Sequence, residues 1–142
     1  MSVPNIVIDT NVIYAALRSK RGASSKLLSL VGAEKFEIHL SVPLILEYED
    51  VTLRQEIPSE VTQDVIKDIL DSLCALGHHH DIHFLWRPYL HDPADEFVLE
   101  LAVAAQAEFI VTYNKKDFQG SHEFGIEVVT PKEFLERIGE IK

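Results

Sequence analysis

The sequence predicts an α/β domain whose mainly parallel sheet has four to five strands. Three features lead there. Short β-branched runs alternate with stretches of helical periodicity, the pattern of strands joined by crossover helices. The first run, Asn5-Ile6-Val7-Ile8, lacks polar alternation, as expected of a strand covered on both faces. It ends directly on an acid, Asp9, at the end of the strand where such sheets bind their ligands.

The remaining elements follow in order. Asn11 to Leu17 reads as a first helix and Ser24 to Val31 as a second, after Gly22. Phe36 to Leu40 is the second strand. Ser41-Val42-Pro43 opens a third helix reaching about Leu53, with proline in the first turn, where its missing N–H is harmless. A long amphipathic helix from about Ser59 to Leu76 is stopped by Gly77, and Ile82 to Trp86 is the third strand. Asp92-Pro93-Ala94-Asp95 caps a helix to about Gln106, and Phe109 to Thr112 is the fourth strand. A loop containing Gly120 and Gly125 leads to the fifth, Glu127 to Val129. Thr130 then caps a last helix, with Glu133 as its capping-box partner. No repeat, linker or low-complexity tract interrupts the series.

A length of 142 residues suits one domain, 1–142, with a real core, and is short for two. Apolar residues at 46% and charged ones at 25% mark a soluble globular chain rather than a disordered or membrane one. The lone cysteine, Cys74, allows no internal disulfide and reads as a small buried hydrophobe. The apolar run before Asp9 is unlike a signal peptide, and no stretch approaches the ~18 apolar residues of a membrane span. A cytoplasmic protein without a membrane partner is expected. Thirteen basic residues against 23 acidic ones give a net charge of −10, the wrong sign for a chain that grips nucleic acid with its whole surface. Either acids gather in a site that bound cations neutralise, or a basic partner covers an acidic face.

In an open parallel sheet the working site lies beyond the carboxyl ends of the strands, where strand order reverses. Asp9 and Asn11 follow the first strand, and Asn114 and Asp117 follow the fourth. Asp95 opens the helix that enters the fourth, so residues distant in sequence are expected to converge. On the third helix, a step of about 100° per residue sets Glu47 between Leu44 and Val51, pointing inward, while Glu49 and Asp50 point outward. An inward carboxylate is expensive unless paired or bound to metal. Snorkelling and pairing with an arginine are the plain alternatives. Taken singly, Asp9 and Asp95 also read as a helix cap and a first-turn acid meeting the macrodipole. Crowded together, such carboxylates repel unless cations lie between them. An all-oxygen ligand set suits Mg²⁺ or Mn²⁺ rather than Zn²⁺.

The ordered set resembles a PIN domain: Ile-Asp9-Thr10-Asn11 after a first strand, an inward Glu47, Asp92-Pro-Ala-Asp95-Glu-Phe-Val-Leu-Glu-Leu-Ala, and Phe-Ile-Val-Thr112-Tyr-Asn114-Lys-Lys-Asp117-Phe. The closing Val128-Val129-Thr130-Pro131-Lys132-Glu133-Phe134-Leu135 is similar to a bacterial subgroup of VapC-like toxins from toxin–antitoxin modules. The resemblance implies a three-layer α/β/α sandwich and cleavage of RNA with Mg²⁺ or Mn²⁺, one or two ions. Asp9, Glu47 and Asp95 match the three core acids, and Asp117 the more variable fourth. Asn11 and Thr112 match polar positions that support the first acid and the substrate. Asn114 departs from a common Thr-x-Asp pattern, so Asp117 takes over and the second metal is left open. Asp92 reads as a further ligand or as a turn residue. Metal held by these acids would bind the scissile phosphate and lower the pKa of water for in-line attack, leaving 5′-phosphate and 3′-hydroxyl ends. The resemblance also implies a homodimer and an antitoxin partner.

Arg18, Lys20, Arg21 and Lys26 form the densest basic cluster, and Lys115 and Lys116 lie between Asn114 and Asp117; these are the candidates for phosphate contacts, against a plain solvated surface. His78-His79-His80-Asp81-Ile82-His83 reads as an exposed turn, because consecutive histidines cannot all face one ion. Gly22, Gly120 and Gly125 assemble no phosphate-cradling loop. Trp86 and Tyr89 read as packing residues before base-stacking ones. A haloacid-dehalogenase-like phosphatase would need Asp where Asn11 stands. A catalytically degenerate PIN scaffold that binds RNA or protein, and a housekeeping RNA-processing nuclease, are the rival readings.

Overall fold

The computed structural model describes residues 3–54, 57–58, 60–82 and 93–141, with the side chains of 93–95 outside that description. Its elements are β1 (Asn5–Ile8), α1 (Thr10–Arg18), α2 (Ala23–Ser29), β2 (Glu37–Leu40), α3 (Val42–Arg54), α4 (Gln63–Leu76), β3 (His78–His79), α5 (Pro93–Ala104), β4 (Phe109–Val111), β5 (Glu127–Val129) and α6 (Pro131–Arg137). Two 3₁₀ turns, Lys115–Phe118 and Ser121–Phe124, lie between β4 and β5. Ile6, Val7 and Ile8 are all buried although successive strand side chains face opposite ways. Both faces of β1 are therefore covered, and the molecule is a three-layer α/β/α sandwich.

Among the described residues all pairings are parallel, in the order β3-β2-β1-β4-β5. From β1 the chain lays strands outward on one side and then returns to lay β4 and β5 on the other, so the order reverses between β1 and β4. The register there sets Ile6, Val7 and Ile8 opposite Phe109, Ile110 and Val111. At the other end of the molecule, Phe134 of α6 meets the rings of Phe36 and Phe109 edge-on, each at 5.4 Å. The capping box of Thr130 and Glu133 starts α6 as expected, with both reciprocal hydrogen bonds made.

Two expectations change. The helix α4 begins at Gln63 rather than near Ser59, because the Thr62 hydroxyl caps it by accepting the Val65 N–H; Ser59 lies outside the described residues. His78–His79, read as part of an exposed turn, instead pair with His39 and Leu40 as a short edge strand. Ile82 is in no strand, and the rest of the strand expected from Ile82 to Trp86, His83 included, lies outside the described residues. Gly77 ends α4 for a reason of space. Its backbone is extended, and a Cβ there would stand 2.6 Å from Leu40 Cδ1 and 2.9 Å from the Leu73 carbonyl.

The edge strand builds a histidine cluster on the buried His39. Its Nε2 lies 2.8 Å from Asn5 Oδ1, which only accepts, so the ring proton sits on Nε2 and Nδ1 accepts from His80 Nε2 at 2.8 Å. Burial first, and then the neighbouring His80 and His78, hold this imidazole down at about 4 from an ordinary 6.5, while Glu37 pulls the other way. As pH falls, the unfolded chain takes up this proton before the folded one does. The stabilisation is therefore complete above about 6.5 and drains away towards about 4. Urea unfolding between about pH 7 and about pH 4.5 should show wild type losing on the order of 1–3 kcal/mol more stability than His39→Gln. Parallel losses in the two proteins would remove His39 from the acid response.

Candidate active site

The chain leaves β1 at Ile8, and Asp9 caps α1 from an extended backbone. Its own N–H donates to the Val111 carbonyl at 2.9 Å, continuing the β1–β4 pairing by one more bond. The Asp9 side chain is only 7% exposed. Its Oδ1 accepts the Thr10 N–H at 2.8 Å and its Oδ2 accepts the Thr112 hydroxyl at 2.8 Å. Cap and candidate ligand are thus one carboxylate, and two donors hold its charge in a buried place.

The direction of the Thr112 bond follows from its other partners. Asn11 Nδ2 donates to Thr112 Oγ1 at 3.2 Å and the Asn114 N–H donates to it at 3.0 Å. A hydroxyl has two acceptor sites and one proton, so the proton is left to point at Asp9. Asn11 closes the loop from the other side, its Oδ1 accepting the Tyr113 N–H at 3.3 Å. Asn11 and Thr112 therefore stand where the sequence sets them, beside the first acid, and Asn114 takes part through its backbone.

The helix α3 reaches the same corner through Tyr48. The buried Tyr48 hydroxyl donates to the Ile8 carbonyl, one residue before Asp9. Burial, then the Asp9 carboxylate and then that of Glu47, push its phenol far above the ordinary range. The buried stripe of α3 is Leu44, Tyr48 and Thr52, which sets Glu47 at its margin: half-buried, with one carboxylate oxygen out of contact with solvent. Glu49 and Asp50 face outward as expected. An open groove of ≈ 450 Å³ borders Glu47, with the Asp50–Arg54 ion pair and Phe97 on its walls.

Asp95 lies in the first turn of α5, which packs against β1, α3 and β4; its side chain and all of Asp92 lie outside the described residues, as does Tyr89. Asp117 stands exposed on the Lys115–Phe118 turn, which the buried Phe118 anchors after β4. Among the described residues, no three His, Cys, Asp or Glu side chains meet closely enough to hold a metal ion. Of the basic candidates, Arg18 lies over the Tyr14 ring at 5.4 Å, Lys26 donates to the Glu140 carbonyl at 2.8 Å, and Lys115 pairs with Glu133 at 3.0 Å. Lys20, Arg21 and Lys116 are exposed and make no such contact among the described residues.

Sequence reasoning missed Tyr48, counted only as part of an apolar stripe, and two buried acids on α5, Glu96 and Glu100. Their spacing of four residues, on one helical face, was the available signal. Burial and the nearby Glu96 raise the Glu100 carboxyl.

Residues 5–116 match the PIN domain family. The fold is similar to that in the crystal structure of VapBC2 from Rickettsia felis bound to a DNA fragment from their promoter. The TM-score is 0.58 and the identity 15%, over 87% of this chain and 96% of the other. No curated protein matches the sequence.

The Thr112 hydroxyl serves three partners, so Thr112→Val should lower stability by about 1–3 kcal/mol by stripping a donor from the buried Asp9. Thr112→Ser should restore most of it in urea unfolding. A Thr112→Val protein as stable as wild type would show that the hydroxyl is dispensable to the folded state.

Proposed function

This chain belongs to the PIN domain family, and from that premise we propose that it hydrolyses RNA phosphodiester bonds with the help of Mg²⁺ or Mn²⁺, as the toxin of a toxin–antitoxin pair. The observation that carries the reading is the buried Asp9 carboxylate at the reversal of strand order, held by the Thr10 N–H and the Thr112 hydroxyl. The buried Asp9 carboxylate and the half-buried one of Glu47 offer oxygen ligands, which fit a hard divalent cation. Asp9, Glu47 and Asp95 are the proposed ligands, and Asp117 is an outer acid from the loop after β4.

When bound, the cation supplies Lewis acidity and positive charge at the phosphate, which a chain of net charge −10 otherwise lacks. The chain's own part is positional. Thr112 and the Thr10 N–H fix the plane of the Asp9 carboxylate, and the Tyr48 bond to Ile8 fixes the distance between α3 and β1, and with it Glu47. The exposed Lys20, Arg21 and Lys116 are left to meet phosphates away from the cut. The acidic balance also favours a basic partner protein, the role proposed for an antitoxin. A second copy of the chain is the further expected partner.

Asp9→Asn makes a clean test because asparagine caps a helix as well as aspartate does. Wild type should cut single-stranded RNA with Mg²⁺ or Mn²⁺ and not with EDTA, and should melt at a higher temperature when the metal is added. Asp9→Asn and Glu47→Gln should keep the fold and lose both the cleavage and the metal-dependent shift. Metal-dependent stabilisation without cleavage of any RNA would leave the metal site and overturn the nuclease; no stabilisation and no cleavage would favour the degenerate scaffold, for which Asn114 is the sequence's own argument.

A further inference from the structure

Tyr113 stands between two residues of the Asp9 network, Thr112 and Asn114, and yet 46% of it is exposed. An exposed tyrosine ordinarily swings freely. This one is tied at both ends. Its N–H donates to Asn11 Oδ1, and its hydroxyl lies 2.5 Å from the hydroxyl of Ser24, which is itself buried in the first turn of α2. With the backbone and the phenol oxygen both committed, the surface that Tyr113 offers to solvent is aromatic ring. Lys116 follows in the same loop, exposed and without a partner among the described residues. A fixed ring with a cation a few residues away is what single-stranded nucleic acid uses: the base stacks and the backbone meets the charge.

We propose that the Tyr113 ring is a stacking platform that seats one base of single-stranded RNA beside the phosphate at Asp9. The inference rests on the ribonuclease reading above and adds a base-binding subsite to it. Because every base has a π-face, the subsite contributes affinity and register with little choice of sequence.

A double-mutant cycle between protein and RNA tests the proposal. One single-stranded RNA is prepared intact and with an abasic residue at each position flanking the cut, and kcat/KM is measured for wild type, Tyr113→Phe and Tyr113→Leu. Tyr113→Leu should lose about fivefold to about a hundredfold on intact RNA, and Tyr113→Phe, which keeps the ring, much less. At one position the abasic RNA should cost wild type the same factor and cost Tyr113→Leu nothing further. Fully additive losses at every position overturn the platform and make Tyr113 a packing residue or a contact for a protein partner. If wild type cuts no RNA, the same RNAs carrying 2-aminopurine are read by fluorescence with Mg²⁺ present. Quenching by wild type and Tyr113→Phe but not by Tyr113→Leu supports the platform and overturns the nuclease alone. An unquenched base with wild type overturns both. Urea unfolding of each variant separates these results from a loss of fold.

Discussion

The pairing of β1 with β4 is the constraint from which the rest of the site follows. Residues 103 positions apart, Asp9 and Thr112, become neighbours only because Ile8 and Val111 are paired and the next N–H, that of Asp9, reaches the Val111 carbonyl. The pairing in turn depends on burial of both strand faces, since Ile6, Val7, Ile110 and Val111 are sealed from solvent. The apolar interior thus fixes a register, and the register fixes a polar corner. One residue past the strand ends the ladder gives out after the Asp9 and Thr112 N–H groups, and the next polar groups turn to side chains for partners. Asp9, Asn11 and Thr112 supply them.

An acidic corner inside an acidic protein needs a physical account. Isolated carboxylates taken from water are strongly disfavoured. Asp9 meets that by accepting two hydrogen bonds, and Glu47 by staying at the margin of the α3 stripe rather than at its centre. Tyr48 stays a neutral phenol, its hydroxyl bound to the Ile8 carbonyl, because burial first, and then the Asp9 and Glu47 charges, disfavour its ionisation. Burial also decides the charge at the sheet edge. There burial first, and then two neighbouring histidines set against one carboxylate, keep the His39 imidazole uncharged.

Much of this was legible in the chain because it is local. Ile6 to Ile8 declares a strand by its side chains alone, and Thr130 with Glu133 declares a helix start within one turn. Asp9, Asn11 and Thr112 could be expected together once two strands were known to be adjacent. What was not legible depends on contacts across long separations. His78 and His79 have no strand-like pattern of their own and are a strand only because β2 lies beside them. Thr62 displaces Ser59 as the start of α4 through one side-chain bond to Val65. Tyr48 looked like one more apolar position on α3. Its hydroxyl acts on a carbonyl 40 residues away, which no periodicity can reveal.

The committed hydroxyl of Thr112 has a thermodynamic consequence. With its proton and both lone pairs spent inside the chain, the orientation of Asp9 is settled when β4 docks against β1, and a ligand arriving later has nothing left to order there. Affinity for that ligand and stability of the sheet therefore draw on a single equilibrium. By linkage, whatever binds Asp9 must hold β1 and β4 together, and any change that loosens those strands, however far from the corner, must weaken the ligand by the fraction of molecules in which the pairing is open.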